Sequence, residues 1–143
     1  MAEHDRANNK AMPKHGEFCW SEFAVSDLKA CLPFYQNVFG WKVERSTSAG
    51  DEMEYLEFSS SGGEQKDAAI YEMNATMFGD EMPPPHIAQY VAVDDVDQTA
   101  EKAKALGGSA VFGPYDIPNV GRMAVINDPS GASISIITLT GGN

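Results

Sequence analysis

Apolar residues dominate two extended stretches, Phe18 to Val25 and Ile87 to Val93. Each stretch runs into a polar pair able to cap a helix, Ser26-Asp27 and Asp94-Asp95. Helical spacing follows both times. In the later copy Val96, Ala100, Ala103 and Leu106 recur on one face, and Gly107-Gly108 supplies a left-handed stop. In the earlier copy Leu28, Leu32, Tyr35 and Phe39 form the stripe and Gly40 the stop. Pro33 lies inside this second pattern. A proline lacks the amide donor and crowds the preceding turn, so the regular helix is expected to begin only about a turn before Pro33, after a looser capping segment.

Three strand-like runs follow each helix. They are Trp41 to Ser46, Glu54 to Ser59 and Ala68 to Met73 in the first copy, with turns at Gly50-Asp51 and Ser61-Gly62-Gly63. In the second they are Ser109 to Gly113, Arg122 to Asp128 and Ala132 to Leu139, with Asp128-Pro129-Ser130-Gly131 as a tight turn. A single offset of 68 residues superposes the copies and matches Ala24 with Ala92, Val25 with Val93, Asp27 with Asp95, Gly40 with Gly108 and Val43 with Val111. The pattern therefore predicts two βαβββ units, 16–78 and 86–140, joined by a linker at 79–85 whose Pro83-Pro84-Pro85 is stiff and extended. Residues 1–15 read as a flexible leader, and residues 16–143 as one α+β domain. Each unit has one sheet face under its helix, so pairing the sheets gives a curved, cup-shaped mixed sheet with helices outside and a concave face for a ligand.

Composition narrows the chemistry. The chain of 143 residues carries 10 basic and 21 acidic side chains, a net charge of −11, which argues against a polyanion-binding surface and hence against nucleic acid. Of three histidines, His4 and His15 lie in the leader and only His86 in the body, so a histidine-rich metal centre is excluded. No apolar run approaches the roughly 18–20 residues of a membrane span, and the leader has no apolar core of a secretory signal. Cys19 and Cys31 form no spaced metal or redox motif and read as small buried hydrophobes. A cytoplasmic protein, away from membranes, is the expectation.

Val25-Ser26-Asp27-Leu28, then Leu32-Pro33-Phe34-Tyr35-Gln36-Asn37-Val38-Phe39-Gly40-Trp41, and the closing Asp128-Pro129-Ser130-Gly131 resemble the vicinal oxygen chelate superfamily of glyoxalases, bleomycin-resistance proteins and extradiol dioxygenases. Asp116 to Val125 and Ile87 to Val96 resemble the glyoxalase-like branch that includes a mycobacterial secreted antigen with two such domains. The resemblance implies a divalent ion held by His, Gln or Glu from the first and last strand of each unit. Carried over residue by residue, those positions are Trp20, Tyr71, Ala88 and Ser135. An indole, a methyl group and two neutral hydroxyls are poor ligands, so no metal site and no cofactor are expected.

The candidate ligand-binding residues are Trp20, Tyr71, Met73, Ala88, Tyr90, Arg122 and Ser135. Trp20 offers a stacking surface or fills the core where a metal was lost. The hydroxyls of Tyr71 and Tyr90 either orient a substrate or bond to backbone. Arg122, the only basic residue after Lys104, is read as leaning inward to clamp an anion or as pairing with Asp116 or Glu57. Glu22 is the candidate catalytic group. Flanked by Trp20 and Phe18 it becomes a general acid or base, and at an open rim it is a hydrated carboxylate. Three functions follow: metal-independent binding of a small apolar or aromatic molecule in the cup, which is preferred; an enzyme, either a metal-dependent lyase, isomerase or dioxygenase with displaced ligands or a metal-free acid–base catalyst using Glu22; and a scaffold whose cup is packed shut by Trp20, Tyr71 and Met73. The resemblance also implies a homodimer.

Overall fold

A computed structural model describes residues 12–45, 54–75 and 79–140. Among these the order is β1 (Phe18–Val25), α1 (Leu28–Phe39), β2 (Val43–Arg45), β3 (Tyr55–Phe58), β4 (Ala68–Glu72), β5 (His86–Ala92), α2 (Val96–Ala105), β6 (Ser109–Ile117), β7 (Gly121–Asn127) and β8 (Ser133–Leu139). The chain divides into two compact units, one from Trp20 to Ala88, the other from Gln89 onward together with the segment ending at Cys19. Both follow the βαβββ pattern expected from the repeat. The early part of the leader, residues 1–11, and the expected Gly50-Asp51 turn lie outside the described residues.

In the first unit the strand order is β2-β3-β4-β1, with β1 parallel to β4 and the remaining pairs antiparallel. Alternation along each strand sends Phe23 and Val25, Leu56 and Phe58, and Ala68 and Ile70 to the face under α1, where they pack with Leu28, Leu32, Tyr35 and Trp41. Trp41 leaves the expected strand. It follows the left-handed Gly40 (φ 77°) and stacks on Phe58 at 4.7 Å between ring centroids, so the strand begins at Val43.

Helix α1 is regular from Leu28, little more than a turn before Pro33 and after the extended cap at Asp27, as expected. Two side chains fix that turn. Asp27 accepts from the Ala30 amide (3.3 Å), and Glu72, at the end of β4, accepts from the Leu28 amide (2.8 Å). The second cap comes from 44 residues away along the chain, beyond the reach of local pattern reading.

In the second unit the order is β5-β8-β7-β6, with β5 parallel to β8. Val93, Val96, Ala124 and Ile136 form its core under α2, joined by Val91 and Ile126. Asp95 caps α2 by accepting from the Gln98 amide (3.0 Å), and Gly107 takes the left-handed stop at φ 96°. Gly16 and Glu17 bond to the backbone of Ala92 (2.7 and 2.8 Å), and His15 Nδ1 accepts from the Asp94 amide (2.9 Å), which ties residues 15–17 to this unit. Strand β6 continues four residues past the expected end at Gly113. Pro114 falls at a shift in register between Phe112 and Tyr115 on the edge strand of the unit, where a missing amide donor breaks no ladder.

Candidate functional site

The helix-free face of the first unit holds the densest chemistry. The alternation that buries Phe23 and Val25 beneath α1 turns Trp20, Glu22 and Ala24 the other way. On β4 the same rule places Ala69 and Tyr71 on that face, with Met73 just beyond the strand, and on β3 it places Tyr55 and Glu57 there. Glu22 pairs in register with Ala69, and Tyr71 stands between Ala24 on one side and Tyr55 on the other. Ala24, Tyr71 and Met73 are buried together with Tyr55 packed against them, and the Tyr55 and Tyr71 rings are 6.1 Å apart.

Three of these side chains form a directed hydrogen-bond chain. The Trp20 indole Nε1 donates to the Tyr55 hydroxyl at 3.0 Å, and that hydroxyl donates to Glu22 Oε2 at 2.6 Å. Polarity follows from the groups themselves. An indole nitrogen only donates, so the Tyr55 oxygen accepts from it and sends its single proton to the carboxylate. All three residues are half-buried. Glu22 is thus half-buried and accepts a hydrogen bond from the Tyr55 hydroxyl, while Phe18 is 73% exposed.

Tyr55 is the member of this hydrogen-bond chain that the sequence did not single out. Its signal was the alternation Tyr55-Leu56-Glu57-Phe58, which pairs Tyr55 with Glu57 on one face, but only the antiparallel register Tyr55 with Tyr71 shows that this face is the one carrying Trp20 and Glu22.

The other predicted residues are divided between the units. Ala88, half-buried on β5, belongs to the first. Tyr90 and Ser135 are register partners in the second, both buried on its helix-free face, and the Tyr90 hydroxyl meets the Met123 sulfur at 3.9 Å. Arg122 stands on the opposite, helix-bearing face, in step with Ala124 and Ile126, in place of the expected inward lean. There it makes a two-pronged bond to Asp97 of α2 (Nε 2.9 Å, Nη2 3.1 Å) and a third bond to Asp116 (3.1 Å). Of the two readings of Arg122, the geometry is that of pairing with carboxylates. The pairing raises the guanidinium's pKa further and holds Asp97 below the usual carboxylate range, chiefly through the side-chain hydrogen bond. Asp128 is lowered mainly by Ser130, which fixes the turn before β8, and burial followed by the charge of Glu17 pushes the Cys19 thiol up.

The donor set at the family's metal positions does not fit a divalent ion. Trp20 presents an N–H already directed at Tyr55, Ala88 has no donor atom, and Tyr71 and Ser135 offer neutral hydroxyls. Among the described residues no three His, Cys, Asp or Glu side chains gather into a metal-holding group. An open cleft of about 550 Å³ lies elsewhere in the first unit, beside the start of α1, lined by Leu28, Lys29, Leu32, Pro33, Glu54, Glu72 and Asn74. Among the described residues no helix is long and apolar enough to cross a membrane.

Two βαβββ units, each a mixed sheet with a helix on one face, define an α+β protein of the vicinal oxygen chelate class. The family model for the Glyoxalase/Bleomycin resistance protein/Dioxygenase superfamily matches residues 19–136, and the chain belongs to that superfamily. It is 32% identical over 130 residues to CFP32 of Mycobacterium bovis, which carries a provisional glyoxylase name, covering 87% of this chain and 48% of that protein. It is 30% identical over 130 residues to the anthracycline biosynthesis protein DnrV of Streptomyces peucetius, covering 85% of this chain and 46% of that protein. The chain thus spans about half the length of these curated relatives. Methylmalonyl-CoA epimerase from Mycobacterium tuberculosis superposes with a TM-score of 0.55 at 19% identity, over 91% of this chain and 92% of that one, a likeness of fold.

Proposed function

We propose that this protein binds a small planar, apolar or aromatic molecule without a metal, on the helix-free face of the first unit, with Glu22 accepting a hydrogen bond from a polar group of the ligand. The observation that carries this reading is the Trp20–Tyr55–Glu22 chain. It sets an aromatic surface and an aimed carboxylate side by side on one rigid sheet, the combination that pockets for aromatic ligands use for contact area and orientation. Stacking on an aromatic ring contributes about 0.5–1.5 kcal/mol beyond area burial, and a hydrogen bond to a charged group about 1.5–3 kcal/mol. The polar term sets orientation and the aromatic term most of the contact. The name of the Streptomyces relative, which concerns a polycyclic aromatic product, supports an aromatic ligand class.

The test is calorimetric titration with 1,4-dihydroxyanthraquinone, a planar probe with hydroxyl donors, before and after treatment with a chelator. Binding that persists after chelation and weakens about tenfold in Glu22→Gln, near 1.4 kcal/mol, is the expected result. Binding abolished by chelation and restored by a divalent metal contradicts it.

The 2.6 Å contact between Tyr55 and Glu22 also favours a second reading, a metal-free acid–base enzyme in which Glu22 takes a proton from the bound molecule. A binding protein and an enzyme part company on turnover. An unchanged probe spectrum and mass after prolonged incubation supports the first.

A further inference from the structure

The helix-free face of the first unit holds more carboxylate than a neutral ligand needs. Glu44 on β2 stands directly across from Glu57 on β3, Glu57 across from Ala69 on β4, and Ala69 across from Glu22 on β1. Three carboxylates therefore share one row across the sheet. Like charges set opposite each other on neighbouring strands repel. Lys66 takes up one of them, bonding to Glu44 Oε2 at 3.1 Å. Glu57 is half-buried, and among the described residues it makes no hydrogen bond or ion pair. Trp20, Glu22 and Tyr55 are likewise partly open to solvent on this face, whereas Ala69 and Tyr71 are buried.

The donors of the Trp20–Tyr55–Glu22 chain are used within it. The indole N–H goes to the Tyr55 oxygen and the Tyr55 proton to Glu22, so what the chain offers a ligand is acceptor oxygen and aromatic ring surface. An anionic ligand meets no donor from this chain and is repelled by two carboxylates. A neutral ligand is served by Glu22 alone. A cation uses everything present, since the negative faces of aromatic rings attract it and both carboxylates compensate its charge. We infer that the ligand is a planar aromatic cation held against the Trp20 and Tyr55 rings, with Glu57 as the residue that selects for its charge. This rests on the ligand face proposed above and adds the sign of the ligand's charge. Strands β1 and β3 are two steps apart in the sheet, about 10 Å, so Glu22 and Glu57 flank a ligand of ring size. Arg122, the expected anion clamp, is engaged with Asp97 and Asp116 in the other unit. The net charge of −11 acts in the same direction at long range.

Calorimetric titration of the full chain at neutral pH with three probes of one shape tests it: 10-methylacridinium, a permanent cation; acridine, its neutral counterpart; and acridine-9-carboxylate, an anion. The cation is expected to bind at least about tenfold more tightly than acridine, and the anion at least about tenfold more weakly. In Glu57→Gln the ratio of cation to acridine affinity is expected to fall below about threefold. Glu101→Gln removes the same charge from α2 in the other unit and is expected to leave that ratio as in the wild type. Raising the salt concentration from about 0.05 M to about 0.5 M is expected to narrow the ratio in the wild type, a readout that needs no variant. A ratio near one, a preference for the anion, or a ratio that responds equally to Glu57→Gln and Glu101→Gln overturns the inference and leaves the proposed ligand face standing. Absence of binding by all three probes overturns both.

Discussion

The two βαβββ copies share a backbone plan, yet their helix-free faces differ in kind. The first presents Trp20, Tyr55 and Glu22 in a hydrogen-bond chain beside Tyr71. The corresponding face of the second presents buried Ala92, Met123, Ile137 and Ser135 around Tyr90, whose hydroxyl touches a thioether. Repetition fixes which positions face away from the helix, because alternation on the strands and the capping of the helices are the same in both. It does not fix what stands there. On that face the first copy sets its hydrogen-bond chain among aromatic rings, while the second surrounds Tyr90 with apolar side chains and Ser135 and places its Asn127–Ser133 bond (2.6 Å) at the strand ends. The strongest ion pairing of the second copy, Arg122 with Asp97 and Asp116, lies on its helix side and ties α2 to β6 and β7.

The comparison breaks most readily at the core of the first unit. Phe58 is 2% exposed and stacks on Trp41, so Phe58→Ala should cost about 3–5 kcal/mol in urea unfolding. Tyr55→Phe separates chemistry from packing. It keeps the ring and deletes the hydroxyl between an indole N–H and a carboxylate, at an expected cost of about 1–3 kcal/mol. On the other copy's face Met123→Leu conserves volume and should stay below about 1.5 kcal/mol. Equal costs for Tyr55→Phe and Met123→Leu would erase the distinction drawn between the faces.

A smaller effect concerns pH. Arg122 lowers the pKa of Asp97, so this pair stabilises the fold above the unfolded carboxylate value of about 3.9 and ceases to do so as pH falls through the lower folded value. Urea midpoints of Asp97→Asn should therefore lie slightly below wild type at pH 6, with the gap closing as pH falls below the usual carboxylate range. The pair is exposed, which keeps the difference modest. Smallest is the thiol chemistry. Burial raises the Cys19 pKa, so alkylation of Cys19 by iodoacetamide should be slow at pH 7 and accelerate only in alkaline solution, followed by peptide mass mapping.

Much of the fold was legible because its signals are local. Asp27 and Asp95 as caps, Gly40 and Gly107 as stops, and the Asp128 turn each act within a few residues. What escaped depended on distant partners. Glu72 caps α1 across the unit, the register shift in β6 lets Pro114 sit in a strand, and the pairing of β3 with β4 brings Tyr55 to Glu22. The same limit applied to Arg122: its scarcity marked it as a candidate, while its orientation depended on alternation set by Ala124 and Ile126 against α2. Trp20 and Tyr71 came from the ligand positions that the family resemblance implies, and Glu22 and Met73 from counting two residues along the same strands; the structure puts all four on the same helix-free face.

The central claim, that this aromatic and carboxylate face is the ligand surface, has a direct optical readout, since the chain holds two tryptophans and Trp41 lies on the opposite, helix-bearing side of the sheet. Fluorescence titration with 1,4-dihydroxyanthraquinone in wild type and Trp20→Phe compares them. The account predicts saturable quenching in the wild type that disappears in Trp20→Phe although Trp41 remains. Quenching of the same depth and midpoint in Trp20→Phe would contradict it.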